Sequence, residues 1–247
     1  MSFDLTSFDP ITLEQMSGVK LMNRTDTKFV TTEDRLRLLL QMASEDYFVQ
    51  EIGGERHLAY DTTYFDTPHF DMYCQHQYNH ANRQKIRFRT YVSSQIQFME
   101  VKTKNNHGRT KKKRIEVSDM DLRDDSKLDF LRTHLRYDAA TLHPALRNRF
   151  RRITLVNKGK TERLTIDTDL QFINPVSGCQ LQMSPLVIIE LKRDGQCSSP
   201  VLELLRRLRI FPHGYSKYCM GSALTNPQLP VNRFKEKLRE VEVLVRA

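Results

Sequence analysis

In the run Lys85-Ile86-Arg87-Phe88-Arg89 a basic residue occupies every second position. Charges alternate in the same way in Glu100-Val101-Lys102-Thr103-Lys104 and in Glu190-Leu191-Lys192, the latter following the apolar run Leu186 to Ile189. Lys111 and Lys113 share one face of a strand, as do Arg163, Thr165, Asp167 and Asp169. Because strand side chains alternate between faces, each segment presents one apolar face and one charged face. On a single strand the charged face meets water. Several such strands, carrying mainly Arg and Lys with a few carboxylates in place of Thr, Ser and Gln, imply a ligand. Closed into a barrel, they line its interior with cations and a few acids. That interior suits a polyanion together with a metal ion: Arg binds phosphate bidentately, Lys is a point charge, and carboxylates hold hard divalent cations.

The elements that must position these residues are strands at 57–65, 84–91, 96–104, 109–118, 147–156, 162–169 and 186–193. Asn105-Asn106-His107-Gly108 reads as a hairpin turn between two basic strands. Thr31-Thr32-Glu33-Asp34 followed by Leu36, Leu39 and Leu40 predicts a capped amphipathic helix. Ser199-Pro200 followed by Leu202, Leu205 and Leu208 predicts a second, with Pro in the first turn. Two more are expected from about Leu128 to Leu135 and from Asn232 to Val245. Many strands, few helices and no regular alternation of the two predict an antiparallel α+β fold. No internal repeat and no long Gly, Ser or Pro linker divides the chain.

The chain has 247 residues, with 39 Lys and Arg against 30 Asp and Glu, a net charge of +9. That excess favours an anionic partner: nucleic acid, an acidic membrane or a polyanionic small molecule. The absence of Trp and the alternation of the charges argue against a base-stacking surface for nucleic acid. Cys74, Cys179, Cys197 and Cys219 form no CxxC pair and read as reduced thiols. His76 and His80, with His69 and Cys74 nearby, lack the further ligand a zinc site needs and read as exposed polar residues. No Ser/His or Cys/His pair is evident. The N-terminus shows no signal peptide and no run is long enough to span a bilayer, so a cytoplasmic protein is expected.

Asn23-Arg24-Thr25-Asp26-Thr27-Lys28-Phe29 resembles the opening strand of the CYTH superfamily, the triphosphate tunnel metalloenzymes, and most closely its VTC-domain polyphosphate polymerase branch. Tyr64-Phe65-Asp66-Thr67, 85–89, 98–104, 163–167, 188–192 and Tyr215-Ser216-Lys217-Tyr218 follow in the order of that family. Each motif is weak alone; order and spacing together are specific. The resemblance spans residues 20 to 225 and implies one domain over 1–247, a triphosphate tunnel fold with an antiparallel β-barrel and helices packed outside, and a C-terminal helix at about 232–245.

By this resemblance Lys28, Arg87, Arg89, Lys102, Arg163 and Lys217 fall on catalytic phosphate-binding positions. Arg24, Arg152, Ser216 and Lys111 or Lys113 join them in substrate binding, and Glu190 falls on the metal position, for Mn²⁺ or Mg²⁺, with Asp26, Glu100 or Asp167 as helpers. Hydrolases of the superfamily carry an acid where this chain has Arg24, while Asp26 and Lys28 remain. The exchange removes a metal-recruiting carboxylate and adds a guanidinium, tilting the expectation from triphosphatase to polymerase. The implied substrates are ATP and inorganic polyphosphate, with no nucleic-acid partner. No inositol-phosphate-sensing segment and no membrane anchor are evident, which fits a free-standing catalytic domain of bacterial type and leaves any membrane-protein partner to another chain. The alternatives are a tripolyphosphatase or nucleoside triphosphatase of the same fold, and a non-catalytic polyphosphate-binding module.

Overall fold

The computed structural model describes residues 3–16, 24–106, 110–195 and 197–246. The strands are β1 (Asp9–Ile11), β2 (Arg24–Thr32), β3 (Tyr47–Gln50), β4 (Leu58–Asp66), β5 (Arg83–Tyr91), β6 (Ile96–Lys104), β7 (Thr110–Val117), β8 (His143–Asn157), β9 (Glu162–Ile173), β10 (Gln180–Gln182) and β11 (Leu186–Asp194). The helices are α1 (Leu13–Met16), α2 (Glu33–Ala43), α3 (Asp71–Gln77), α4 (Asp125–His134), α5 (Pro200–Arg207), α6 (Lys217–Thr225) and α7 (Lys235–Arg246). The seven expected strands and four expected helices are all present. His107 and Gly108 of the expected turn lie outside the described residues.

One sheet runs in the order β2-β11-β9-β8-β4-β5-β6-β7, with β1, β3 and β10 paired at its margins. All its pairings are antiparallel except that of β1 with β3. The expected barrel is not closed: β2 and β7 end the path, and no pairing joins them among the described residues. β7 carries Lys111, Lys112, Lys113 and Arg114, all exposed. Lysines on an edge strand oppose further pairing, because a partner such as β2, with its own Lys28, would set like charges opposite one another. The path still curls. Lys28 of β2 is the strongest single charge acting on Lys102 of β6, so strands near opposite ends of the sheet face each other across a cleft.

Packing on the two sides fixes which residues reach that cleft. On the convex side, Leu36, Leu39 and Leu40 of α2 and Val201 and Leu205 of α5 bury Ile189 and Leu191 of β11 and Leu164 and Ile166 of β9. Farther along, Leu131 of α4 covers Ile86, Phe88, Met99 and Val101 of β5 and β6. The intervening charged positions therefore turn inward. On the concave side α3, α6 and α7 pack over part of the sheet, with Tyr73, Tyr218, Met220 and Val241 against Tyr64, Leu146, Phe172 and Ile188. Gly221 lets α6 lie this close: a Cβ there would sit 2.6 Å from Leu146 and from Phe172. Neither α3 nor α6 was expected from periodicity.

One face assignment changes. A bulge between β8 and β9 interrupts the alternation near Asp169, which adopts φ of 50° and does not extend the row Arg163, Thr165, Asp167. On β8, Arg152 pairs with Asp167 on the concave face, whereas Arg147 and Arg149 bind Asp61 on the other side.

Candidate active site

Three ion-paired carboxylates organise the concave face. Glu100 of β6, 2% exposed, accepts from Arg87 Nε at 2.6 Å and from Lys112 Nζ at 3.0 Å. Burial favours its neutral form, but Arg87, Arg89 and Lys112 prevail and hold its pKa near 2. Arg87 donates its third bond to the Tyr64 hydroxyl at 3.4 Å. Burial would raise the Tyr64 pKa, yet Arg87, Arg89 and Lys85 bring it down to about 8. Arg89 is buried, with Nε 3.2 Å from Thr62 Oγ1. Desolvation, then Arg87 and Arg152, lower its pKa to about 10.

Asp167 of β9 is held by Arg152, at 2.6 and 2.9 Å, and by the Lys217 ammonium. Despite its burial, these two cations keep its carboxyl well below the usual range. Lys217 enters the cleft from the first turn of α6. Ser216 caps that turn, accepting from the Cys219 amide at 3.2 Å, and also accepts from Lys85 Nζ at 2.8 Å.

Glu190 of β11 completes the set, with Lys28 Nζ at 3.4 Å and Lys192 Nζ at 2.7 Å. Burial opposes its charge, but Lys28 and Lys192 keep it far below the usual carboxylate range. Six cations thus serve three carboxylates. Arg89, Lys85 and Lys102 have no ion pair among the described residues. Lys102 is exposed at the cleft; desolvation and Lys28 lower its pKa to about 8.

Among the described residues no three of His, Cys, Asp and Glu converge on a metal position. Glu100 and Asp167 are buried in their ion pairs, whereas the Glu190 side chain is 19% exposed toward the cleft. Asp26 lies on the Lys28 face of β2, diagonal to Glu190. This donor set fits a hard cation shared with substrate phosphate oxygens, not an all-protein cage.

The cleft gathers Lys28, Arg87, Arg89, Lys102, Arg152, Arg163, Ser216, Lys217 and Glu190 from the sequence reading. Lys111 and Lys113 are corrected: they lie opposite Thr103 and Val101, on the other face, while Lys112 and Arg114 lie opposite Lys102 and Glu100. Alternation gives two candidate faces in a run of four cations, and only the pairing register selects one. For Arg24 the strand backbone is described, but its side chain lies outside the described residues. Lys85, Lys192 and Tyr64 stand within the quoted motifs, but the sequence reading gives none of them a role in the site. The first two follow from alternation, being two residues from Arg87 and Glu190; the place of Tyr64 beside Arg87 comes from the β4–β5 pairing, which no spacing within one strand reveals.

A Cys/His contact not evident in the sequence is also present: Cys219 Sγ lies 2.9 Å from His76 Nδ1. Burial and Lys85 push the His76 pKa down to about 2, so it stays neutral. All four cysteines are free thiols, and α3 ends before His80, so the histidines form no cluster.

The concave face of the curled antiparallel sheet thus gathers many cations around three carboxylates. The VTC domain matches residues 23–226, and the chain belongs to that family. Among solved structures, a candidate adenylate cyclase from Bacillus halodurans matches with TM-score 0.51 at 15% identity, over 79% of this chain and 96% of that one. A candidate adenylyl cyclase from Hippeastrum, described as revealing a dominant triphosphatase activity, matches with TM-score 0.51 at 15% identity, over 85% of this chain and 99% of that one. At such identities the likeness concerns the fold. No curated protein matches the chain. Among the described residues no helix is long and apolar enough to cross a membrane.

Proposed function

We propose that the chain is a metal-dependent polyphosphate polymerase that transfers the γ-phosphoryl of ATP to the end of an inorganic polyphosphate chain in the basic cleft, with the sheet edges forming a tunnel around it. The observation that carries this reading is the charge of Arg89, Lys85 and Lys102, which have no ion pair among the described residues, beside three carboxylates that each already hold two cations. A cleft so charged is stabilised by a ligand with several phosphates along it.

Phosphoryl transfer needs alignment of donor and acceptor and neutralisation of oxygen charge. Arg87 and Arg89 are positioned to hold the transferred group, with Lys102, Lys28, Arg152, Arg163 and Lys217 along the chain. Arg24 would extend this row at the start of β2. A divalent cation, Mn²⁺ or Mg²⁺, held by Glu190 with phosphate oxygens, would supply further charge neutralisation. In the transfer a terminal phosphate oxygen of the chain bonds to the γ-phosphorus, the bond to the β-bridging oxygen breaks, and ADP leaves. The acceptor is already anionic near pH 7, so no strong general base is needed. This agrees with Glu100, Asp167 and Glu190 being tied to cations, which leaves them poor bases for activating water.

Hydrolysis of tripolyphosphate or nucleoside triphosphates is a second reading, supported by the activity described for the Hippeastrum protein. A thermal-shift titration tests the cleft assignment. Long-chain polyphosphate should raise the melting temperature far more than orthophosphate at equal phosphate concentration, through the number of cations engaged at once. Equal shifts would assign a small phosphate site instead.

A further inference from the structure

A row of rings crosses the same concave face just beyond the arginines. Phe150 of β8 stacks on Tyr60 of β4 with centroids 5.2 Å apart. Tyr60 meets Tyr91 of β5 at 5.1 Å, and Tyr91 meets Phe98 of β6 edge-on at 5.8 Å. Arg114 of β7 lies over the Phe98 ring, 4.3 Å from its centroid. Burial falls along the row: Phe150 and Tyr60 are 2% and 7% exposed, Tyr91 and Phe98 are half-buried, and Arg114 is exposed.

The buried end of this row is core. The open end is not. Phe98 belongs to none of the hydrophobic clusters of the described residues, and Arg114 makes no ion pair among them. A planar guanidinium stacked on an aromatic ring keeps its outer face available for a second π-system. β7 ends the strand path, so no further strand among the described residues pairs beyond Arg114, which is exposed.

The register connects this platform to the phosphate ligands. Phe98 lies opposite Arg89, and two residues farther Glu100 lies opposite Arg87. At about 3.3 Å per residue, one same-face step is about 7 Å. A ligand with a planar ring on Arg114 and Phe98 therefore extends its anionic tail along Arg89, Arg87 and Lys102.

We propose that Arg114, Phe98 and Tyr91 form a stacking platform for the nucleobase of a nucleoside triphosphate. The proposal rests on the reading of the cleft as a phosphate site and adds the residues that receive the base of its nucleotide substrate. Stacking needs only a π-face, so the platform accepts different bases with little preference. Inorganic polyphosphate has no ring to place there. The platform thus separates the nucleotide donor from the inorganic chain, which the cations hold alone.

Calorimetric titration of ATP and of inorganic tripolyphosphate, both as magnesium salts, tests this on the parent, on Phe98→Ala and on Phe98→Leu, which keeps apolar volume without the ring. Stacking contributions imply that both variants lose about tenfold in affinity for ATP. Tripolyphosphate affinity should stay within about twofold of the parent, since no charge has changed. In a second arm on the parent alone, ATP should bind about tenfold more tightly than ribose 5-triphosphate, which lacks the base. Variants that lose both ligands equally, variants that lose neither, or a parent indifferent to the base would overturn the platform. A parent that binds tripolyphosphate but not ATP overturns it while leaving the phosphate cleft intact. A parent that binds neither removes both readings.

Discussion

Lys102 and Tyr64 both titrate near pH 8 in the ligand-free cleft, and this makes triphosphate binding a proton-uptake reaction. Burial and Lys28 lower the lysine from 10.5 to about 8; the cations Arg87, Arg89 and Lys85 outweigh burial and lower the tyrosine from 10.0 to about 8. At pH 8 each group is therefore about half-titrated, giving ~0.5 neutral lysine and ~0.5 phenolate. A bound triphosphate restores the ammonium and repels the phenolate, so each group takes up ~0.5 proton and the total is ~1 at pH 8. At pH 7 only about a tenth of each is deprotonated, and uptake falls to ~0.2. The terminal phosphate, with its second ionisation near pH 6, is already ionised at pH 8 and releases little. Calorimetry in buffers of different ionisation enthalpy measures the uptake. Lys102→Arg should keep binding but remove about half of the uptake, because a guanidinium does not titrate in this range; Tyr64→Phe should remove the other half. Linkage gives the sign without ligand. Both folded pKa values lie below their unfolded values, so between pH 8 and 10 the unfolded chain binds more protons and these groups add stability as pH rises. No uptake at pH 8, or uptake unchanged in both variants, would refute the electrostatic account of the cleft.

Glu190→Gln should lower metal-dependent turnover by orders of magnitude while polyphosphate binding survives or tightens, since Lys28 and Lys192 are released to the chain; a variant with parental turnover and metal titration would remove Glu190 from the metal position. Arg87→Ala leaves Glu100 buried with only Lys112, so it should lose triphosphate binding and ~3 kcal/mol of stability in denaturant melts. Adding Glu100→Gln should recover part of the stability and none of the binding; recovery of binding would argue against Arg87 as a phosphate ligand. Gly221→Ala drives a methyl group against Leu146 and Phe172, which should cost ~1–3 kcal/mol and displace Ser216 and Lys217 with α6, lowering both melting temperature and polyphosphate affinity.

The long strands were legible because their two faces differ chemically. Ile86, Phe88, Met99 and Val101 alternate with Lys85, Arg87, Glu100 and Lys102, and burial of the apolar set under α4 fixes the direction of the charged one. Alternation cannot orient Lys111-Lys112-Lys113-Arg114, where both faces are basic; only the β6–β7 register places Lys112 and Arg114 on the cleft side. Nor can alternation show the bulge that removes Asp169 from the row of Asp167. α6 was missed because it is buried on nearly every side and carries no amphipathic stripe. Closure of the sheet is a property of its edges, and the charge on β7 was read as a ligand signal without its effect on pairing. The partners of Glu190 came from β2 and β11 together, a contact that one strand's spacing cannot reveal.

Phosphorus NMR of the products formed from ATP with Mn²⁺ or Mg²⁺ tests the central claim most directly. A polymerase gives growing internal-phosphate resonances of polyphosphate with stoichiometric ADP, and both depend on the cation and vanish in Arg89→Ala. Orthophosphate accumulating with ADP and no chain resonance would contradict polymerisation and assign hydrolysis to the same cleft.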